Sequence, residues 1–313
     1  MRIPARQLLY VLAMMAALSH AEAGCRIERR TEVPVRIVQD RPLVELAVNG
    51  HAATFLLDTG AGRTVFADTA VRALNVARDQ WVSSSIRGVG GAIEMTANAV
   101  PRSFTLGGVA LRRRGVNPAL SFVVAPLPWH ELGGRAISGL LGADYLSTFD
   151  LDLDLSRGTL ALYDTTDCAH ASLPWGPANV PVPLQRPRPY VLLAPVAIDG
   201  RTLLAQLDTG ASVSLVSRKG AARLGITPEM QRAGPSARGI GRQALPLHSR
   251  IFETARLGPA EYRHVTLAFG APAGGFAFDM LLGMDLLRGR RVFISYATNR
   301  LLIATHDGSA ALP

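Results

Sequence analysis

The stretch Phe55-Leu56-Leu57-Asp58-Thr59-Gly60-Ala61 has a counterpart later in the chain, Ala205-Gln206-Leu207-Asp208-Thr209-Gly210-Ala211. One Asp-Thr-Gly triplet would be a weak signal, because three common residues often meet by chance. Two copies, each after a short run of mostly apolar residues, indicate a duplicated half that supplies one carboxylate per copy. Two carboxylates roughly 3 Å apart cannot both ionise, so one can act as a base while the other stays protonated. The repeat therefore predicts a paired-aspartate site between two halves.

Five further landmarks keep the same order in both halves, which indicates an internal duplication. They are an apolar-Pro-apolar triplet, a hairpin dipeptide, a glycine-rich loop, a Leu-Gly pair and a Leu-Leu-Gly motif. In the first half these are Val33-Pro34-Val35, Asn49-Gly50, Arg87-Gly88-Val89-Gly90, Leu106-Gly107-Gly108 and Leu140-Leu141-Gly142-Ala143-Asp144. In the second half they are Val180-Pro181-Val182, Asp199-Gly200, Arg238-Gly239-Ile240-Gly241, Leu257-Gly258-Pro259 and Leu281-Leu282-Gly283-Met284-Asp285.

At these residues the chain resembles the retropepsin-like aspartic proteases, over nearly all of its length apart from the N-terminus and the linker. Each half carries the Asp-Thr-Gly-Ala motif, a glycine-rich flap and an apolar-apolar-Gly motif. The stretch Asp279-Met280-Leu281-Leu282-Gly283-Met284-Asp285-Leu286-Leu287 looks like the retropepsin domain of the eukaryotic DNA-damage-inducible shuttle proteins. The resemblance implies a mainly β fold of two acid-protease β-barrel lobes, related by a pseudo-twofold axis, with the catalytic cleft between them. Retropepsins usually pair two identical chains; here the halves are fused, as in pepsin, which implies a monomer with an intramolecular pseudo-dimer.

The resemblance also implies an activity. Asp58 and Asp208 would activate a water for attack on a peptide bond, as an aspartic endopeptidase does, with no metal or other cofactor. The residues that support the two active-site loops would be Thr59, Gly60, Thr209 and Gly210. Two flaps over an extended polypeptide substrate would contain Gly88, Val89, Gly90, Gly239, Ile240 and Gly241. Ala61 and Ala211 stand where pepsin has Ser or Thr. Without that hydroxyl, the pair is expected to work at a less acidic pH than pepsin's.

Other chemistries fit the residues less well. The sequence has no Gly-x-Ser-x-Gly elbow, its two distant cysteines give no zinc spacing, and its histidines form no His-Glu-x-x-His motif. A phosphate-binding loop would need a helix after the glycines, which the sequence does not offer. The alternative from another class is a catalytically silent bilobal peptide-binding or scaffold protein of the cell envelope. Two intact motifs argue against it, because a binding protein has no need of both acids.

Composition supports a folded chain with a basic surface. Of 313 residues, 48% are hydrophobic and 18% charged, which excludes a disordered chain. The formal charge of +9 comes mostly from scattered arginines, including Arg112-Arg113-Arg114, with no aromatic-rich motif beside them. We therefore interpret them as a solvated surface and not as a nucleic-acid site. The same charge favours acidic substrates or an anionic envelope surface.

The N-terminus predicts export. Arg2 and Arg6 precede the apolar stretch Leu8–Leu18, and Ala21-Glu22-Ala23 fits a cleavage site. We predict a signal peptide at 1–23, no integral membrane span after its removal, and a periplasmic or secreted protein. That stretch is about half the ~20 residues of a spanning helix. The alternatives are an uncleaved signal anchor and a lipid anchor at Cys25, where Glu22 departs from the apolar residue that a lipobox expects.

Export also permits a disulfide between Cys25 and Cys168, and two free thiols are the alternative. We predict an N-terminal lobe at 33–163, a proline-rich linker at 164–179 and a C-terminal lobe at 180–305. A short helix should follow each Asp-Thr-Gly motif. Asp68 and Ser217 are predicted to cap the two helices, which should end near Asn75 and Gly225.

Two further stretches allow narrower predictions. Asp150, Asp152 and Asp154 alternate with leucines, which indicates the wet face of a strand rather than a calcium loop. The separation between copies falls from 151 residues at Gly90 and Gly241 to 141 at Leu141 and Leu282. The first half therefore has ten extra residues, which we place within Asn117–Ser138. A surface loop is the default for such an insertion, and Trp129 at its tip suggests contact with substrate as the alternative.

Overall fold

The computed structural model of the protein describes residues 25–112, 120–168, 180–271 and 277–304. The predicted signal peptide, most of the predicted linker and Arg113-Arg114 lie outside these ranges. Strands dominate both halves, so the prediction of a mainly β, two-lobed fold is confirmed.

The first half contains two short helices, α1 (Asp68–Ala73) and α2 (Ala143–Leu146). Its strands are β1 (Arg26–Pro34), β2 (Arg36–Val38), β3 (Arg41–Val48), β4 (His51–Asp58), β5 (Val65–Ala67), β6 (Ala77–Gly88), β7 (Gly91–Val100), β8 (Phe104–Leu106), β9 (Val109–Ala110), β10 (Val123–Ala125), β11 (Glu131–Leu132), β12 (Arg135–Gly142), β13 (Asp150–Asp154) and β14 (Thr159–Thr166).

The second half contains helices α3 (Arg218–Leu224) and α4 (Met284–Leu287) and a 3-10 turn at Pro228–Met230. Its strands are β15 (Val182–Pro183), β16 (Gln185–Arg188), β17 (Val191–Ile198), β18 (Arg201–Leu207), β19 (Leu215–Val216), β20 (Arg232–Ala237), β21 (Leu245–Leu257), β22 (Ala260–Phe269), β23 (Met280–Leu282), β24 (Arg291–Ser295) and β25 (Arg300–Ile303).

The two halves repeat one strand arrangement. Leu43 of β3 lies opposite Leu56 of β4, and Leu193 of β17 lies opposite Gln206 of β18, so the register is the same in both copies. In each half the Leu-Leu-Gly strand, β12 or β23, runs parallel to the strand that leads into the Asp-Thr-Gly motif. The same strand also pairs antiparallel with β5 or β19. The Leu-Leu-Gly motifs therefore lie directly beside the two aspartate loops.

A six-stranded sheet joins the halves, in the order β1-β14-β13-β24-β25-β15. At its middle β13 of the first half pairs antiparallel with β24 of the second, with Leu151 opposite Ile294 and Leu153 opposite Val292. Buried apolar residues of both halves also pack in one core cluster. Within it, rings of the first half lie with centroids 4.8 to 5.8 Å apart: Phe55, Phe66, Phe104, Phe122 and Tyr145.

The prediction that Asp150, Asp152 and Asp154 form a wet strand face is wrong. Their exposed fractions are 2%, 4% and 8%, because β13 lies between two partner strands inside the shared sheet. Each carboxylate is satisfied by polar groups. Asp150 accepts bonds from Ser295 Oγ and Ala297 N, Asp152 pairs with Arg291 at 2.6 Å, and Asp154 accepts from Ser156 and Arg157 N–H groups. The alternation with leucines correctly predicted a strand, but it did not predict that both faces of this strand are buried.

The element ends differ from the sequence-based bounds in three places. Strand β1 begins at Arg26, before the predicted lobe start at 33, and β14 runs three residues into the predicted linker. Both extend because they pair with each other along their length. Beside this pair, Cys25 and Cys168 form a disulfide. Asp68 opens helix α1 as its first residue instead of capping it, and Ala67 holds the cap position without a side-chain bond.

No helix within the described ranges is long and apolar enough to cross a bilayer.

In the second half Ser217 caps α3 by accepting a hydrogen bond from Gly220 N at 3.1 Å, and Gly225 ends the helix in the left-handed conformation. Both assignments follow the sequence-based prediction for that helix.

Candidate active site

The two predicted aspartates lie at equivalent places in the fold. Asp58 ends β4 opposite Gly142 of β12, and Asp208 follows β18, with its N–H donating to Leu282 O at 3.0 Å. In each half, parallel pairing of the Leu-Leu-Gly strand with the strand that leads into the Asp-Thr-Gly motif thus fixes where the backbone turns. The aspartate is delivered at that turn in both halves.

Each carboxylate accepts hydrogen bonds from the loop that follows it. Asp58 Oδ1 accepts from Gly60 N at 3.0 Å and from Ala61 N at 2.8 Å. Asp208 Oδ1 accepts from Gly210 N and Ala211 N, both at 3.0 Å. The Oδ1 atoms are therefore held by backbone donors.

The two carboxylates face each other across the lobe interface. A Cβ atom built on Gly60 would lie 2.3 Å from Asp208 Cγ, and one built on Gly210 would lie 2.4 Å from Asp58 Cγ. Contacts this short leave no room for a side chain, so each loop needs glycine where it meets the opposite carboxylate. The reciprocal contacts place Asp58 and Asp208 within one shared site.

Two buried threonines tie the loops together. Thr59 Oγ1 donates to Leu207 O at 3.1 Å and accepts from Thr209 N at 3.1 Å. Thr209 Oγ1 donates to Leu57 O at 2.7 Å and accepts from Thr59 N at 3.1 Å. Gln206 lies on β18 just before Asp208, and its side-chain amide donates a hydrogen bond to Gly60 O at 2.9 Å. These bonds all cross from one half to the other and hold the carboxylates in register.

The pair favours retention of a proton. Burial raises the pKa of Asp58, although backbone donors from Ala61 and Gly60 act in the opposite direction. The pKa of Asp208 is raised well above its ordinary value, first by burial and then by the charge of Asp58. The two carboxylates therefore titrate as one coupled pair, and burial together with their mutual repulsion favours retention of a proton by the pair.

A second pair of acids supports the loops from below, and the sequence analysis gave it no role. Asp144 accepts from Thr64 N at 2.8 Å and from Thr64 Oγ1 at 2.7 Å, while Gly142 N donates to that hydroxyl. In the second half Ser214 N and Oγ donate to Asp285 at 2.8 and 2.6 Å. Asp144 and Asp285 end the fifth landmark of the repeat, so their recurrence was the signal that could have found them.

The two glycine-rich segments meet above the carboxylates. Gly88 and Gly91 close the β6–β7 hairpin, whereas the second segment forms a longer turn between β20 and β21. Gly90 N donates to Ile240 O at 2.8 Å, and Gln243 N donates to Gly90 O at 3.0 Å. Val89 and Gly239 also line the space beneath, so both predicted flaps lie over one cleft.

The cleft has a volume of about 560 Å³ and reaches from the two aspartates to the flap tips. Its walls include residues that the sequence analysis did not assign to the site, above all Arg41, Arg63 and Gln206. Trp129 of the ten-residue insertion also lines it, and Arg41 Cζ lies 4.6 Å from the centre of its ring. Trp129 precedes β11, while the β11–β12 turn lies at Gly133-Gly134, so the residue is not at the loop tip as predicted.

Cys25 and Cys168 lie apart from this chemistry and do not line the cleft. Within the described ranges, no three His, Cys, Asp or Glu side chains come together as metal ligands.

Comparisons with known proteins agree with this geometry. An aspartic proteinase from Irpex lacteus shares the fold, with a TM-score of 0.53 and 12% sequence identity, over 90% of this chain and 99% of that one. No curated protein matches the sequence. A profile of the aspartyl protease family matches residues 44–145 and again residues 194–286. Those two matches span more than half of the chain, one in each lobe. The chain therefore belongs to the aspartyl protease family and carries that family's domain in duplicate.

Proposed function

We propose that the protein is an aspartic endopeptidase whose catalytic residues are Asp58 and Asp208. The reciprocal fit of Gly60 against Asp208 and Gly210 against Asp58 carries this proposal, because it sets two half-buried carboxylates face to face. Their raised pKa values favour the singly protonated pair that hydrolysis of a peptide bond needs.

In the proposed reaction a water lies between the two carboxylates. Ionised Asp58 takes a proton from the water as its oxygen attacks the scissile carbonyl carbon. Protonated Asp208 donates a hydrogen bond to the carbonyl oxygen and stabilises the charge that develops there. A proton then passes to the leaving nitrogen, the C–N bond breaks, and the pair returns to its singly protonated form.

Substrate is proposed to lie extended between the carboxylates and the two flaps. Gly90 and Gly241 meet through their backbones, while Ile240 and Val89 each pack against apolar residues of the opposite half, so opening would separate these side chains as well. The exposed backbone of the flaps would pair with the main chain of a polypeptide as an added strand. Hydrogen bonds to the main chain suit an enzyme that accepts many sequences.

Replacement of each aspartate tests the proposal. Asp58→Asn and Asp208→Asn should each abolish cleavage of a peptide library by the purified mature chain across pH 3–8. Circular dichroism should show an unchanged fold. The control is Asp164→Asn, a surface aspartate whose ion pair with Arg30 contributes little. Near-normal turnover in either active-site variant would refute the assignment. Peptide binding without any hydrolysis by the parent chain would favour the silent scaffold instead.

We also propose that the protein is exported and works in the periplasm or outside the cell. The N-terminal sequence supports cleavage after residue 23, and the Cys25–Cys168 disulfide suits an oxidising compartment. Intact-mass analysis of protein recovered from the envelope fraction should give a chain that begins at Gly24 and lacks free thiols. A full-length mass, a lipid-modified Cys25 or two thiols that alkylate without reductant would each contradict part of this proposal.

A further inference from the structure

The cleft has an unusual charge distribution. Among the described residues that line it, the ionisable side chains other than Asp58 and Asp208 are all arginines: Arg41, Arg63, Arg87 and Arg238. Arg87 and Arg238 are exposed and stand on the two flaps at equivalent positions of the repeat. Arg41 and Arg63 are half-buried and belong to the body of the first lobe. A substrate in the cleft therefore meets positive charge beyond the catalytic pair.

Arg41 is incompletely satisfied. Its guanidinium packs over Trp129 and donates one hydrogen bond, from Nη1 to Gln39 O at 2.9 Å. Its Nε is buried and has no hydrogen-bond partner among the described residues. The adjacent acid, Asp40, forms its own ion pair with Arg288 at 2.9 Å. Burial lowers the pKa of Arg41, yet an arginine stays charged in a protein. The charge of Asp40 favours the charged form of Arg41, but Asp40 also pairs with Arg288, so a ligand carboxylate could supply a further counter-charge to this half-buried cation.

The second arginine of the lobe is also loosely held. Arg63 Nε lies 3.8 Å from Asp144 Oδ2, which is a long contact for an ion pair. Asp144 already accepts two shorter hydrogen bonds from Thr64 through its other oxygen. Arg63 therefore retains donors for a further acceptor, and it follows the Asp58 loop by only a few residues.

These two arginines have no counterparts in the second half. The shared register places Val191 at the position of Arg41, and the aligned loops place Val213 at the position of Arg63. Trp129 belongs to the insertion that the second half lacks. The charge in the cleft body is therefore confined to one lobe, while the charge on the flaps is symmetric.

We propose that Arg41, stacked on Trp129 and assisted by Arg63, forms a subsite that binds a carboxylate of the substrate on the first-lobe side of the cleft. The subsite rests on the proposed peptidase function and narrows its substrate class to polypeptides with an acidic side chain or a free C-terminal carboxylate near the scissile bond. A planar guanidinium fixed against a ring presents its donors in the fork geometry that suits a carboxylate.

A binding measurement tests the subsite without requiring catalysis. The Asp208→Asn chain, with Asp58→Asn as a second background, is titrated with fluorescent acetylated and amidated peptides that carry Glu or Gln at each position in turn. At one position Glu should bind about tenfold more tightly than Gln, since charge-assisted hydrogen bonds are roughly twice as strong as neutral ones. Free-acid peptides that gain affinity only from their C-terminus would identify the terminal carboxylate as the ligand.

Variants of Arg41 then show whether this residue is responsible. Arg41→Gln should bring the Glu-to-Gln ratio close to one, and Arg41→Lys should keep part of it because the charge remains. Arg36→Gln removes the same charge from an exposed position outside the cleft and should leave the ratio unchanged. The ratio should also shrink as salt is raised. A ratio near one in the parent background, together with no gain in affinity from a free C-terminal carboxylate, would overturn the subsite. A gain from either carboxylate that is undiminished in Arg41→Gln would also overturn it.

Cleavage assays with the same peptide pairs separate this inference from the proposed function. A preference in binding with no cleavage by the active chain would leave the subsite in place and refute the peptidase assignment. Cleavage of Glu and Gln peptides, and of free-acid and amidated peptides, all at equal kcat/KM would support the peptidase and refute the subsite. Preferential cleavage of the acidic peptides, lost in Arg41→Gln but not in Arg36→Gln, would support both.

Discussion

At the scale of single residues, Gly60 and Gly210 lie where a side chain would strike the opposite carboxylate. We predict that Gly60→Ala and Gly210→Ala each lower kcat/KM by about 10²-fold or more, because a shift of about 1 Å at reacting groups has that effect. Steady-state kinetics on a cleaved peptide measures the loss. Gly62→Ala is the matched control, since a Cβ there meets nothing within 4 Å. Equal losses in all three variants would contradict the argument.

The raised pKa of Asp208 predicts a pH-dependent effect on stability. An unfolded aspartate titrates near its ordinary value, whereas Asp208 in the fold keeps its proton to higher pH. Between these two values the folded state binds more protons, so its contribution to stability is lost as pH rises through this window. Asp208→Asn removes the group and keeps an oxygen for the backbone donors. Its melting temperature relative to the parent should therefore be higher at pH 7 than at about pH 4.

Thermal unfolding at both pH values checks this, and a shift of about 2–4 °C corresponds to each kcal/mol in a chain of this size. Asp164→Asn, which removes an aspartate outside the cleft, is the control, and a pH dependence equal to that of Asp208→Asn would show that the effect is not specific to the buried pair. If the melting temperature of Asp208→Asn minus that of the parent does not rise between pH 4 and pH 7, the group does not carry a raised pKa in the fold.

The sequence predicted some of these residues and could not predict others. Asp58, Asp208, Thr59 and Thr209 recur in a repeated motif, and repetition is visible in one chain. Arg41 occurs once, so nothing in the pattern distinguishes it from a surface residue, and Trp129 was singled out only by its place in the insertion. Their meeting depends on how the insertion folds back against β3, which is a long-range contact. Sequence reasoning therefore reaches the symmetric part of the site and only one residue, Trp129, of its asymmetric part.

At the scale of elements, the two predicted flaps contact each other through the backbone of their glycine-rich tips. Gly241 has φ of +120°, and a Cβ there would lie 2.0 Å from Gly90 C. We predict that Gly241→Ala separates the tips and lowers kcat/KM, with a rise in KM, because substrate is no longer enclosed. Hydrogen exchange at the Gly90 amide should accelerate, since its 2.8 Å bond to Ile240 O is lost.

The control for this flap variant lies on the strand that leads into the same turn. Gly234 in β20 has ordinary van der Waals room for a Cβ, with Leu247 O at 3.4 Å. Gly234→Ala should therefore keep both KM and slow exchange at Gly90. If Gly241→Ala also keeps both, contact between the tips is not needed for the closed flaps.

Helix ends show where element prediction succeeds. Ser217 and Gly225 bound α3 as predicted, because a cap residue and a left-handed glycine act through local bonds. Asp68 was predicted to cap α1, but it is the first residue of the helix, where it forms ion pairs with Arg72 and Arg78. These arginines compete with the backbone N–H groups of the first helical turn for the carboxylate, and the sequence pattern does not show which partner is preferred.

At the scale of the whole molecule, the halves are held together by a shared sheet, by the threonine bonds and by a common core. We predict that one chain is a complete catalyst. Activity per chain should stay constant on dilution over about two orders of magnitude, unlike that of an enzyme whose subunits dissociate. Sedimentation should show a monomer across the same range. Activity that falls steeply on dilution, alongside a dimer, would show that the site forms between chains.

The shared sheet was beyond the reach of sequence reasoning. Periodicity identifies β13 and β24 as strands, but it does not say that they pair with each other. That pairing, between residues about 140 positions apart, buries Asp152 and gives it Arg291 as a partner. The two-lobed plan followed from the repeat, whereas the contact that unites the lobes followed from tertiary packing alone.

Fusion of the halves has a consequence for how the cleft can evolve. In an enzyme built from two copies of one chain, a single gene encodes both walls of the cleft, so each substitution appears in both walls. Here Arg41 and Val191 occupy equivalent positions of the repeat but are encoded separately, and so are Arg63 and Val213. The two walls can therefore diverge while Gly60 and Gly210 stay alike, since each of these must fit the other half. A polypeptide has a direction, and a cleft with unlike walls can distinguish its two ends.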